Sequence, residues 1–117
     1  MNYQQRIHQV EPHITNQDAE EVSNYLTNGG WVTEHKVTRN FEKLVSDKVN
    51  RTFAQAVPNG TIALYLALLG SGIKKGHRVA VPNLTMIASI NSIIWAGAEP
   101  VLIDVNPDMC MSFESLI

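Results

Sequence analysis

The sequence predicts an α/β fold built on a parallel sheet, and three observations carry that prediction. From Thr52 onward strand-like runs alternate with helical ones. Residues 52–57, 78–82 and 100–104 read as strands; residues 62–69, 85–96 and a segment opening at Ser112 read as helices. Such alternation implies right-handed crossovers and, locally, a parallel sheet. The composition, 44% apolar and 17% charged, is that of a globular chain and not a disordered one. Finally, three strands would leave two open edges and a thin core, whereas parallel sheets are normally covered on both faces. The last helix also breaks off in its second turn. The 117 residues are therefore expected to be the front part of a larger domain, with residues 1–51 an N-terminal arm and two helices, and residues 52–117 the first strand–helix units.

The first dozen residues are polar and end in Glu11-Pro12, which reads as an extended arm. Thr15-Asn16-Gln17-Asp18 then pairs a hydroxyl cap with a carboxylate three residues on, a helix start. Ala19, Val22, Tyr25 and Leu26 follow at helical spacing, and Asn28-Gly29-Gly30 stops the helix. Residues 31–35 form a short connector. A second helix is expected over 37–50, with Val37, Phe41, Leu44, Val45 and Lys48 as one buried stripe.

The strand at 52–57 is broken by Pro58-Asn59-Gly60-Thr61. Asn-Gly between apolar runs is also a hairpin signal, but the Leu and Ala that follow favour helix. Ala63 and Ala67 lie four apart and offer a small face for close packing. Gly70-Ser71-Gly72 ends that helix, and Lys74-Lys75-Gly76-His77 is a polar turn. The strand at 78–82 closes on Pro82. The helix at 85–96 is expected to bury Ile87, Ile90, Ile94 and Trp95 and to end at Gly97. After the strand at 100–104, Asn106-Pro107-Asp108 is a turn.

Composition excludes several functions. Nine basic against eleven acidic residues give −2, with no electrostatic footprint for nucleic acid. One cysteine, Cys110, leaves no internal disulfide and no Cys-rich zinc site. The first residues carry no apolar core of a signal peptide, and the longest near-apolar run, 62–69, is too short to span a bilayer. A cytoplasmic protein without a membrane partner is expected. His8, His13, His35 and His77 show no metal spacing and read as surface residues, and Cys110 has no neighbouring base.

The strongest chemical signal is Asn59-Gly60-Thr61 between a strand and an apolar helix. A helix start leaves N–H groups unpaired and carries partial positive charge, which suits a phosphate. Gly60 permits close approach and Thr61 adds a hydroxyl. The alternative is that Asn59 or Thr61 merely caps the helix. The usual nucleotide fingerprints are missing: Gly70, Gly72 and Gly76 are one residue too widely spaced and follow a helix. Pro82-Asn83-Leu84-Thr85-Met86 ends the second strand, at the sheet edge where ligands gather. Thr85 could equally be a cap and Met86 a packing residue. Asp104 ends the third strand on that same edge, as an acid or as a solvated loop residue.

Read together, Asn28-Gly29-Gly30-Trp31-Val32-Thr33, Phe41-Glu42, Asn59-Gly60-Thr61-Ile62-Ala63-Leu64, Val81-Pro82-Asn83-Leu84-Thr85-Met86-Ile87-Ala88 and the run from Gly97 to Val105 resemble the start of the DegT/DnrJ/EryC1/StrS family. The resemblance runs from about Val10 to Ile117. It implies the front of the large domain of a type I, aspartate aminotransferase-like transferase dependent on pyridoxal phosphate. It implies that the full-length protein is a homodimer that moves an amino group, from glutamate, onto a nucleotide-linked keto-deoxysugar. On that likeness Gly60 and Thr61, with Asn59, hold the cofactor phosphate, Met86 takes the place of a ring against the pyridine, and Trp31 and Thr33 shape the sugar site.

The chain departs from the family pattern at several points. Met86 is not aromatic, so its thioether packs less strongly on a ring. Glu34 replaces a usual glycine, and His77-Arg78 an acidic pair. The family's Schiff-base lysine lies far downstream, and none of Lys36, Lys43, Lys48, Lys74 and Lys75 follows a strand at the site edge. Residues 1–117 alone are therefore expected not to transaminate, and Asp104 is not given the role of partner to the pyridinium nitrogen. Two alternatives stay open: a sugar dehydratase of the same family, and a non-catalytic α/β module for a phosphorylated ligand or a partner.

Overall fold

Thr15 starts the first helix, α1 (Asn16–Thr27), through a complete capping box. Its hydroxyl accepts from the Asp18 N–H at 3.2 Å and donates to the Asp18 carboxylate at 2.6 Å, while the Thr15 N–H donates to that same carboxylate at 2.7 Å. The Thr15 hydroxyl, and then its N–H, hold the exposed Asp18 carboxyl below the ordinary carboxylate range. The computed structural model describes residues 10–33 and 36–117. His8, Glu34, His35 and most of the expected arm lie outside the described residues; His13 and His77 are exposed.

Five further elements follow: α2 (Lys36–Lys48), α3 (Gly60–Gly70), β1 (Arg78–Pro82), α4 (Ile87–Trp95) and β2 (Glu99–Ile103). Among the described residues all four helices end in one way. The second residue past each helix has positive φ: Gly29 at 78°, Asn50 at 51°, Gly72 at 80° and Gly97 at 76°. That residue's N–H, and the next one's, then bond back to the last turn, as in Gly30 to the Tyr25 carbonyl at 2.8 Å and Ile73 to the Leu68 carbonyl at 3.0 Å. This Schellman arrangement satisfies carbonyls that would otherwise be orphaned. Three of the four positions are glycine because only glycine takes that backbone without a Cβ penalty.

The chain divides into two compact units, one ending at Ala54 and the other starting at Gln55. In the first, α2 turns inward a face that differs from the expected stripe. Glu42 and Ser46 are buried, with Thr38 and Val45 half-buried, while Val37, Phe41 and Leu44 are more than half exposed. The inward face is polar but satisfied. Arg39 pairs with Glu42 at 2.9 Å, and the Ser46 hydroxyl donates to the Lys43 carbonyl at 2.9 Å.

In the second unit, β1 and β2 pair in parallel, from Arg78 opposite Glu99 to Pro82 opposite Ile103, with α4 as the crossover. Helix α3 packs along α4, which lies on both strands. The core is Val81, Ile93 and Ala98, with Leu68, Ile73, Val79 and Ile90 packed around it. Tyr65 of α3 meets Trp95 of α4 edge-on, centroids 6.2 Å apart and planes at 86°. Among the described residues no helix is long and apolar enough to cross a membrane.

Four expectations are corrected here. Residues 52–57 form no strand; a strand exists only through a ladder partner, and among the described residues the sheet holds β1 and β2 only. On α4 the buried residues are Ser92 and Ile93, followed by Ala96, whereas Ile87, Ile94 and Trp95 are at least half exposed. Small residues let the helix approach the sheet closely, and Ser92 satisfies itself by donating to the Ser89 carbonyl at 2.9 Å. On α3 the half-buried residues are Thr61, Ile62, Tyr65 and Leu68, and Ala63 and Ala67 are exposed. After Ser112 residues 114–116 are a turn and not a helix: the Ser112 hydroxyl accepts from the Ser115 N–H at 3.3 Å and the Phe113 carbonyl from the Leu116 N–H at 3.2 Å.

Candidate functional site

The start of α3 is built by Asn59. Its backbone is extended (φ −164°, ψ 169°), and its side-chain oxygen accepts from the Ile62 N–H at 3.0 Å. The Asn59 carbonyl accepts from the Ala63 N–H at 3.1 Å. The N–H groups of Gly60 and Thr61 precede these two and have no partner within the helix. The first turn contains no acid, so the positive end of the helix is not neutralised from within. A Cβ placed on Gly60 would meet nothing within 4 Å, so the ground over that turn is open. Two outward N–H donors, a hydroxyl residue and open space fit a phosphate group.

Met86 stands at the start of α4, the helix that packs on α3. It is the N-cap of α4 without any side-chain cap, and it is 77% exposed. Thr85 is not the cap: its hydroxyl sits 3.0 Å from that of Ser89. Sequence reasoning missed a tie beside it. The Asn83 side-chain amide donates to the Asp104 carboxylate at 2.8 Å, and the Asn83 N–H continues the ladder to the Ile103 carbonyl at 2.8 Å. Both side chains sit just past paired strand ends, Pro82 and Ile103, and that placement was the available signal. Beyond Asp104 the chain folds into a tight hairpin. Val105 bridges Met111, the expected turn at Pro107-Asp108 lies between them, and Ser112 donates its N–H to the Asp104 carbonyl at 2.7 Å.

Trp31 and Thr33 belong to the first unit. They line a cavity of about 610 Å³ together with Val22, Leu26, Val37 and Thr38. Its geometry depends on a residue that sequence reasoning did not single out. The Tyr25 hydroxyl donates to the Trp31 carbonyl at 2.7 Å. The ring lies over Gly30, where any Cβ would collide with it. Gly29 and Gly30 therefore serve different ends: one supplies the positive φ, the other the room for Tyr25.

Among the described residues no group of three or more His, Cys, Asp or Glu could hold a metal ion. Lys36, Lys43 and Lys48 lie on α2, with Lys43 paired to Asp47 at 3.0 Å, and Lys74 and Lys75 lie in the turn before β1.

The sequence profile of the DegT/DnrJ/EryC1/StrS aminotransferases matches residues 12–117. The chain belongs to this family. A GDP-perosamine synthase of Escherichia coli O157:H7 is 37% identical over 94 residues, which is 80% of this chain and 26% of that protein. A GDP-perosamine synthase of Caulobacter vibrioides is 51% identical over 67 residues, 57% of this chain and 18% of that one. A Streptococcus pneumoniae protein assigned as a sugar aminotransferase, solved in its PLP form, superposes with a TM-score of 0.78 at 31% identity, over 90% of this chain and 27% of that chain. Its PMP form superposes equally well. The DegT/DnrJ/EryC1/StrS fold is thus the α/β fold of PLP-dependent sugar aminotransferases, present here in part, and pyridoxal phosphate is its cofactor. When bound, that cofactor supplies the electron sink for amino-group transfer.

Proposed function

We propose that this chain forms the phosphate-holding and sugar-facing front of an enzyme that aminates a nucleotide-linked keto-deoxysugar, with glutamate as donor. In this reading the Gly60 and Thr61 N–H groups and the Thr61 hydroxyl hold the cofactor phosphate, and Asn59 fixes the turn that presents them. Met86 lays its thioether against the pyridine ring, and Trp31 and Thr33 form a wall of the sugar pocket. The full-length protein works in the cytoplasm as a homodimer, and the two GDP-perosamine synthase relatives support GDP as the carried nucleotide. The carrying observation is the start of α3: open donors, open space and no acid of its own.

Thr61→Ala in the full-length enzyme is expected to weaken cofactor binding about tenfold, the worth of one hydrogen bond to a charged group. Unchanged affinity in a cofactor titration overturns the assignment. No lysine of residues 1–117 is given the Schiff-base role, so the purified chain with pyridoxal phosphate and glutamate is expected to show no turnover. Measured transamination would refute that part.

A further inference from the structure

The sequence contains two Asn-Gly pairs, Asn28-Gly29 and Asn59-Gly60. We infer that Asn59 is a site of spontaneous deamidation, and that the fold directs this reaction to Asn59 and away from Asn28. The chemistry needs only water. The backbone nitrogen of the glycine attacks the side-chain Cγ of the asparagine and gives up its proton to solvent. The Cγ–Nδ2 bond breaks and ammonia leaves, which closes a five-membered succinimide. Water then opens the ring at either carbonyl, giving aspartate or isoaspartate. One water is consumed, one ammonia is released, and nothing is oxidised or reduced. Glycine as the following residue leaves the attacking nitrogen unhindered.

Three features separate the two sites. Ring closure requires the glycine nitrogen on the same side as the asparagine Cβ. At Asn59, ψ of 169° sets the Gly60 nitrogen opposite the residue's own nitrogen and gauche to Cβ. At Asn28, ψ of 20° nearly eclipses the two nitrogens and turns the attacker away from Cβ. The nucleophiles differ as well. The Gly29 N–H is engaged with the Leu26 carbonyl at 3.2 Å, whereas Gly60 is the first residue of α3, where N–H groups have no intrahelical partner.

The electrophiles differ most. Asn59 Oδ1 accepts the Ile62 N–H at 3.0 Å at the positive end of a helix. As Gly60 attacks, negative charge grows on that oxygen, and a positioned donor stabilises it as in an oxyanion hole. Asn28 instead spends its amide group donating to the Asn24 carbonyl at 2.8 Å, at the negative end of α1, where a developing oxyanion is disfavoured.

The consequence rests on the phosphate reading above. A carboxylate at position 59 still caps α3, since Asp is as good an N-cap as Asn, but it sets a negative charge beside the donors meant for phosphate. The aspartate product keeps its helix and loses its cofactor.

The test ages the full-length enzyme in mildly alkaline buffer, native and in urea, and follows the peptides bearing Asn59 and Asn28 by mass spectrometry. In native buffer Asn59 is expected to convert about tenfold faster than Asn28, the rate factor of one hydrogen bond to a developing charge. In urea the two rates converge. A native ratio at or below one overturns the inference. Asn59→Asp in the full-length enzyme reads the consequence separately. If Asn59 converts but Asn59→Asp binds cofactor normally, the phosphate reading fails and the deamidation site stands. If Asn59→Asp loses cofactor but Asn59 never converts, the reverse holds.

Discussion

Helices α1 and α3 begin with the same device and put it to opposite ends. Each has a polar N-cap whose side chain accepts from the third residue of the helix, Thr15 from Asp18 and Asn59 from Ile62. In α1 that third residue is itself an acid and bonds back to the cap, so the helix start is closed and its positive end neutralised locally. In α3 the third residue is apolar and the first turn has no acid. The same cap therefore leaves a positive, donor-rich end facing open ground. A capping residue thus says little about function; the residue three positions later separates a closed helix start from one able to take an anion.

That contrast can be broken from either side. The largest effect is expected from Ile62→Glu, which gives α3 the acid that α1 has. It should reduce cofactor affinity in the full-length enzyme by tenfold or more, with helicity retained in circular dichroism. Unchanged affinity would mean that the open end of α3 has no part in binding. Thr15→Ala should cost about 1 kcal/mol of local stability, read by hydrogen exchange across α1, with no change in cofactor affinity.

The smallest effect is one of pH. Because Thr15 holds Asp18 below the ordinary carboxylate range, the box contributes fully above that range. Its contribution is lost as pH falls through Asp18's own lowered value. Backbone amide shifts at Thr15 and Asp18 should follow this acid transition, while those at Gly60 and Thr61, with no acid in their turn, should not.

Local chemistry was the readable part of this chain. Thr15 and Asp18 announced α1, and the positive-φ glycines marked three helix ends, because caps and turns depend on residues adjacent in sequence. The element order from α3 to β2, and the strand at 78–82, were legible for the same reason. Which face each helix buries was not. On α2 and α4 hydrophobic periodicity chose Phe41, Leu44, Ile87 and Ile94, whereas the inward faces are Glu42 with Ser46, and Ser92 with Ile93. Burial here counts only the neighbours that these residues supply, and periodicity marks a helix's apolar face without saying which neighbour covers it. The Tyr25–Trp31 latch and the Asn83–Asp104 tie stayed hidden because each joins residues that are distant in sequence or lack a motif.

The Asn83–Asp104 tie bears on how this edge of the sheet is spaced. It joins the loop that carries Met86 to the hairpin after β2, at the point where backbone pairing stops. The rung lies just beyond the last backbone bond, from the Asn83 N–H to the Ile103 carbonyl, and so sets how far apart these two loops leave the sheet.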